Sequence, residues 1–445
     1  MTAEPLPRAH PSVGAVRALA GDAPWEALVL AAAVPFLFLH ATYQPGVSVG
    51  VASTSIDVTL ADLAIACVLA VAVVRGRREG WAPLRRSRWL LLLTAAFVVC
   101  GALSLATPSL LGEDYALAPH AVSVAKFAWY AALLPAAILV VRTTREAVPL
   151  LRMLVIWSVA ATAWGLLQFL GLVSEFEGKR PVQREPSFVG IHDFAALSGA
   201  AGVALGDGRP AGRRWSLVAV GAGALGVVLS GAMTAVIGLW LALAAVLLGA
   251  TAVRALRARR AVALVAVVVL VTAGTAAMRA ETIERFAEFL GIRDRVEQTG
   301  VESYAHRTLL AYIGGRIWLD RPITGVGWQA SSEEWAYGPF LDDARRRFPN
   351  EPEQAFPAPD RPWGIQLLYL QVAADLGIAG VVLLVGFAAA AIAAGVRNLR
   401  AAPGALVGLG WLAVAIGVWA GIGLVSGLPL DALTWLAVAL VTLRE

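Results

Sequence analysis

Arginine and aromatic side chains crowd one stretch of this chain. Trp328, Trp335, Tyr337, Phe340, Phe348, Phe356 and Trp363 are interleaved there with Asp342, Asp343, Arg345, Arg346 and Arg347. Flat aromatic faces beside polar groups suit an amphipathic ligand such as a sugar, and guanidinium forks suit phosphate oxygens. The competing reading is an interfacial aromatic belt with solvated charges. Just upstream, Leu309, Leu310, Ile313 and Ile317 recur at three- and four-residue spacing. This predicts a helix over Ser303 to Asp320, stopped by Pro322 and Gly325-x-Gly327. Arg307 and Arg316 lie nine residues apart on it, about 900° of helical rotation, so they point to opposite faces. One of them is expected to meet a ligand, and both only if Gly314-Gly315 breaks the helix.

Proton chemistry has two candidate bases, His192 and His306. His192, followed by Asp193, falls about one and a half turns into an apolar segment that starts near Ser187. Ionisable groups inside a membrane helix mark functional sites; the simpler alternative is a helix–helix hydrogen bond. Neighbours on a helix diverge by about 100°, so His192 and Asp193 each need a partner elsewhere, and Arg184 or Arg307 suits Asp193. Arg184 stands beside the outer entrance to that helix, a candidate phosphate contact. His306 precedes Arg307, and a solvated loop histidine is its plainer reading. His40 and His120 need only interfacial solvation. There is no G-x-x-x-x-G-K-[ST], no H-E-x-x-H and no Cys/His metal spacing, so no metal site and no cofactor is expected. Cys67 and Cys100 read as small core residues. GAGALG, Gly221 to Gly226, lies in an apolar run and reads as helix packing.

The elements that position these residues follow from composition. The 445 residues are 58% hydrophobic and 15% charged, with a mean hydropathy of +0.71. Soluble domains carry about a quarter charged residues, so an ordinary soluble enzyme is excluded, and disorder with it. Apolar segments fall near 25–42, 58–74, 89–107, 120–141, 147–170, 187–205, 215–229, 231–253, 261–278, 364–396, 404–424 and 428–443. The expectation is an all-α polytopic integral membrane protein with about 12 transmembrane helices at ~20 residues each. It divides into a tail (1–24), helices 1–9 (25–278), a long extracytoplasmic loop carrying a short helix (279–363) and helices 10–12 (364–445). The tenth segment is one tilted helix or a helix broken at Gly377.

Arginines in alternate short loops set the orientation. Arg75, Arg77, Arg78, Arg85, Arg86, Arg88, Arg142, Arg145, Arg209, Arg213, Arg214, Arg254, Arg257, Arg259, Arg260, Arg397 and Arg400 all fall on one side. Both termini are therefore expected in the cytoplasm, and the +5 formal charge is topogenic, with no nucleic-acid partner implied. The loop 279–363 is outside, with eleven arginines against fourteen acidic residues.

Four stretches carry a resemblance to a known family. HRTLLAYIGGRIWLDRPITGVGW, from His306, is similar to the signature of the O-antigen ligase and O-antigen polymerase family, an arginine followed about fifteen residues on by P-L-x-G-x-G. LLYLQVAADLGIAG, Leu367 to Gly380, resembles that family's H-N-x-Y-L-Q-x-x-x-E-L-G-x-x-G helix, with Tyr369 at its tyrosine. SGAMTAVIGLW, Ser230 to Trp240, resembles its serine-rich helix start. REPSFVGIHDFAALSG, Arg184 to Gly199, sits where the family has an outer arginine before a helix of small residues. The likeness covers roughly 180 to 400.

The resemblance implies a metal-independent glycosyltransferase of the cytoplasmic (inner) membrane. Such an enzyme moves a glycan from an undecaprenyl diphosphate carrier to a glycan, lipid or protein acceptor hydroxyl on the outer face. On that reading Arg307 and Arg184 hold diphosphate, and Arg316 with Arg345, Arg346 and Arg347 attracts it. Trp328, Tyr369 and Asp193 complete the substrate contacts, His192 or His306 is the base, and Gln366 positions the acceptor. The chain departs from the family at two places: Met233 stands where a second arginine is usual, and Gln366-Leu367 replaces the His-Asn pair. Glutamine cannot take a proton at neutral pH. Asp375 takes the acidic place and reads as structural. The rival readings are a transporter or flippase of lipid-linked sugars, and a non-catalytic scaffold of the same fold.

Overall fold

In a hydrocarbon environment a chain must satisfy its backbone groups internally, and the α-helix does so segment by segment. The computed structural model describes residues 23–51, 54–173, 184–205, 212–252, 257–289, 292, 303–401, 406–424, 427 and 432–443. In chain order these hold helix α1 (Trp25–Leu37), a hairpin of β1 (Gly46–Val51) and β2 (Thr54–Thr59), then α2 (Leu60–Glu79) and α3 (Arg88–Ser104). Next come α4 (Leu117–Val140), α5 (Thr144–Phe169), α6 (Ile191–Leu205), α7 (Arg213–Ser230), α8 (Met233–Ala252) and α9 (Ala258–Met278). Then follow α10 (Ala280–Phe289), α11 (Ser303–Asp320), α12 (Leu368–Ala401), α13 (Leu406–Gly421) and α14 (Ala432–Val441). Each of the twelve apolar segments holds one of these helices. Among the described residues, α4, α5, α8, α9 and α12 are long and apolar enough to cross a membrane, and α1, α3 and α14 are shorter apolar helices. The chain is a helical, multi-pass membrane protein.

Four local features differ from expectation. Residues 43–57, expected as a plain loop, contain the hairpin. Its strands alternate Val47, Val49 against Ile56, Val58, paired Val47 to Val58 and Val49 to Ile56, the period-two pattern of a strand. Lys126 ties it down through the Asp57 carbonyl at 2.7 Å and the Asp62 carboxylate at 2.7 Å. The fourth segment breaks at Ala132, between Leu117–Ala131 and Leu133–Val140, because Pro135 has no N–H for the Ala131 carbonyl. Arg75, read as one of the orienting loop arginines, is buried. It donates to Glu146 at 3.0 Å, to Glu79 at 3.3 Å and to the Val140 carbonyl, stapling α2 to the α4–α5 connection. Finally, α6 begins four residues later than expected, with consequences for His192 given below.

Helix packing relies on small residues, as it does where no water is expelled between helices. On α7, a Cβ at Gly223 would lie 2.4 Å from the Ser198 carbonyl of α6, and one at Gly226 would lie 2.3 Å from the Ser198 hydroxyl. The GAGALG stretch is thus a helix contact. At the α8–α13 crossing a Cβ on Gly238 would lie 2.7 Å from the Gly417 carbonyl. Beside this bundle, α11 and the segment after it form a layer with a core of its own, built on Leu309, Leu310, Ile313, Ile317, Tyr337, Phe356 and Ile365.

Candidate active site

The site is held by a clip between the P-x-x-G-x-G turn and the break in α12. Gly377 takes φ 60°, ψ −156° inside α12, a conformation open almost only to glycine. The break frees backbone groups, and the turn after α11 takes them up. Val326 N donates to Ala374 O at 2.9 Å, Gly327 N to Asp375 O at 2.8 Å, and Ile378 N to Pro322 O at 2.9 Å. The approach is too close for side chains: a Cβ at Gly325 would lie 2.4 Å from Asp375 O, and one at Gly377 would lie 2.2 Å from Ile323 O. The fully buried Asp375 accepts the amides of Gln329 at 3.1 Å and Ser331 at 3.2 Å. Two motifs distant in sequence are therefore one structural joint, and Asp375 is its fastener.

That joint sets α11 against the extended segment leading into α12. Arg307 Nε donates to the Gln366 amide oxygen at 3.2 Å. The preceding residue, His306, is buried. Its Nδ1 meets the Ala355 carbonyl at 2.8 Å, and its ring stands edge-on to Trp363 with centroids 5.1 Å apart. A carbonyl only accepts, so Nδ1 carries the proton and Nε2 carries the lone pair. Burial, which outweighs the support of that hydrogen bond, and the Arg307 charge hold the ring below the ordinary histidine value. His306 is thus a neutral, oriented imidazole and not a solvated loop residue.

Around Arg307 gather two more guanidinium groups. Burial, then Arg279, then Arg307 push Arg184 down to about 10. Burial and then Arg279 lower Arg307 likewise. Arg184 Nε is buried and, among the described residues, has no hydrogen-bond partner. Two desolvated cations, Arg184 and Arg307, with the Arg279 charge in their field, make a site that a polyanion stabilises. Arg184 is delivered by a buried turn: Glu185 N donates to Leu229 O at 2.9 Å, Ser187 N to Gln168 Oε1 at 2.9 Å, and the Ser187 hydroxyl to Ala161 O at 2.7 Å. That turn, with Ser187 at φ 54° and Gly190 at φ 88°, occupies the residues expected to open the sixth helix. His192 therefore lies in the first turn of α6, half-buried, with Asp193 exposed beside it.

Arg279 was not singled out from the sequence. Its signal was a lone arginine at the far end of the ninth apolar run, where the charge bias leaves the other short ends bare. Met233, at the usual place of a second arginine, is exposed at the start of α8, and Arg279 caps the end of α9.

The remaining candidates are not brought to this cluster. The α11 helix is unbroken through Gly314-Gly315. Arg316 accordingly faces the other way, 3.5 Å from Asp343 and over the Phe340 ring. Arg345 pairs with Glu353 at 2.6 Å and Asp342 at 3.4 Å, and Arg346 with Asp343 at 3.3 Å. Arg347 is exposed. Trp328 is 1% exposed, packed edge-on to Phe127 and bonded through Nε1 to Ser123 at 3.2 Å. No ring face is left for a sugar, and its place is the core. Tyr369, partly exposed in the first turn of α12, turns its hydroxyl toward Gly423. Among the described residues no group of three or more His, Cys, Asp or Glu side chains is arranged to hold a metal ion.

Fold and site together define a multi-pass membrane protein with a half-buried arginine cluster beside an oriented histidine. Residues 217–385 match the family model described as O-antigen ligase. The match runs from α7 to the middle of α12, so it takes in Arg279, Arg307, Gln366 and the Asp375 joint; Arg184 and His192 precede it. No curated protein matches the chain.

Proposed function

We propose that this chain is a glycosyltransferase of the inner membrane that moves a glycan from an undecaprenyl diphosphate carrier to an acceptor hydroxyl at the outer face. The observation that carries the reading is the convergence of Arg184, Arg279 and Arg307 beside a histidine whose basic nitrogen is set by Ala355. The acceptor oxygen bonds to the anomeric carbon as the bond from that carbon to the diphosphate oxygen breaks, and the electron pair leaves on the diphosphate. The three guanidinium groups take up the negative charge that develops there. The hydroxyl proton passes to His306 Nε2. Anion binding offsets the Arg307 charge and so restores basicity to the ring in the loaded enzyme. Gln366 holds Arg307 by its carbonyl and offers its NH₂ group to a sugar or acceptor oxygen. In this scheme His306, not His192, replaces the imidazole absent at position 366, and twelve crossings with both termini cytoplasmic place the cluster outside.

The test is the cell-surface glycan profile of a deletion strain complemented with wild type, Arg279→Ala, Arg307→Ala or His306→Gln. Loss of the transferred glycan with accumulation of lipid-linked precursor is expected for all three variants. An unchanged profile for the strain lacking the gene overturns the enzyme reading. Substrate crossing the membrane with no change in glycan attachment would mark a transporter.

A further inference from the structure

At the arginine-rich end of the bundle, remote from the site above, the helices part around a second cavity of about 770 Å³. Its walls are the start of α3, the end of α4, the last turns of α12 and Thr442. Higher up, α3 and α12 touch, a Cβ at Gly386 lying 3.2 Å from Leu93. Toward the helix ends Ala390 and Ala394 leave the gap that widens into the cavity.

The chemistry of this cavity divides into two halves. One wall is apolar and formed by small side chains. The mouth carries Arg86, Arg142 and Arg397, with no carboxylate among the lining residues, and Trp89 stands exposed beside it. The nearby acids are already taken. Glu79 and Glu146 hold Arg75 at 3.3 and 3.0 Å, and Glu79 also holds Arg142 at 3.2 Å. Arg86 and Arg397 have no carboxylate partner among the described residues. Two uncompensated guanidinium groups at the membrane surface, over an apolar cleft and beside an interfacial tryptophan, match the basic inter-helix pockets that hold acidic lipid headgroups. A soluble anion would use the arginines but leave the apolar wall wet.

We infer that this cavity is a binding site for an anionic diacyl phospholipid, its phosphate between Arg86 and Arg397 and its upper acyl chains against the Ala390–Ala394 face of α12. The volume is that of a small-molecule site, roughly 300–1,000 Å³, room for a headgroup and the first methylenes. Nothing in this assignment depends on the glycosyltransferase reading.

The experiment is native mass spectrometry of the purified full-length chain, titrated with phosphatidylglycerol or phosphatidylcholine of identical acyl chains. Wild type is expected to retain phosphatidylglycerol preferentially. Each arginine near a membrane surface contributes roughly fivefold, so the Arg86→Ala/Arg397→Ala double variant should lose about 25-fold of that preference. Ala390→Trp, which fills the apolar wall and leaves both charges in place, should abolish retention as well. Retention of both lipids alike by wild type, an unaltered preference in the double variant, or displacement of lipid by an equal concentration of inorganic phosphate would overturn the assignment. Should the double variant misfold, Ala390→Trp alone decides: retention equal to wild type refutes the site.

Discussion

Replacing Gly377 with alanine tests whether the joint between the P-x-x-G-x-G turn and α12 positions the site. At φ 60°, ψ −156° an alanine is strained by about 1–3 kcal/mol. The added Cβ would also lie 2.2 Å from Ile323 O and 2.8 Å from Gly325 N, so the turn must retreat by about an ångström to regain an ordinary van der Waals separation. That retreat strains three backbone hydrogen bonds, those of Val326, Gly327 and Ile378, at about 0.5–1.5 kcal/mol each. The sum is on the order of 2.5–7.5 kcal/mol of local opening energy, roughly a 70-fold or greater loss of amide protection. Hydrogen exchange with mass spectrometry over peptides covering 322–331 and 374–378 reads it directly. Gly315→Ala is the control: nothing stands within 4 Å of its Cβ, and a helix interior gains up to about 1 kcal/mol from the change. The reasoning fails if Gly377→Ala leaves protection at wild-type level, or if Gly315→Ala lowers it as much. Because the joint sets α11 against Gln366, Gly377→Ala should also depress glycan transfer with Arg307 intact.

Other outcomes follow from the same geometry. Arg279→Ala should lower transfer by about 10- to 100-fold, the loss of one charge-assisted contact, while Arg316→Ala, whose partners are Asp343 and Phe340, should stay within twofold or so; equal effects would dissolve the three-arginine site. His306 is held below its unfolded value of about 6.5, so the folded state resists its protonation. The stability contribution of the neutral ring is full above that pH and is lost as pH falls from it through the lowered folded value, and activity is lost only at the folded value. A kcat/KM profile should be flat from pH 7 upward with an acid limb that His306→Gln removes, and persistence of the limb would assign it elsewhere. Trp328→Phe, which gives up the Ser123 bond and core packing, should lower thermal stability by about 1–3 kcal/mol without altering KM for donor; a raised KM would return Trp328 to the substrate. Because arginines neutralise the leaving group, transfer in washed vesicles should survive EDTA, and its loss with recovery on adding Mg²⁺ would defeat that mechanism.

What the sequence by itself determined is what depends on local periodicity and composition. Twelve apolar runs became helices because each could satisfy its backbone alone. The spacing of Leu309, Leu310, Ile313 and Ile317 predicted α11, and helical rotation separated Arg307 from Arg316 before any coordinates. The tenth segment reads from sequence as one tilted helix or a helix broken at Gly377, and the backbone there, at φ 60°, is the break. The hairpin at 46–59 shows in the sequence as alternating valines, Val47 and Val49 against Ile56 and Val58. The tertiary structure decided which distant residues share a site. Arg184, Arg279 and Arg307 come from a buried turn, the end of α9 and α11, and no spacing rule relates them. His306 looked solvated because the carbonyl that orients it belongs to Ala355, and Trp328 looked like a sugar platform because Phe127 and Ser123, which bury it, lie about two hundred residues away. A side chain's chemistry is written in the sequence, but its desolvation and its partners are set by contacts between segments, which exist only once the helices have packed.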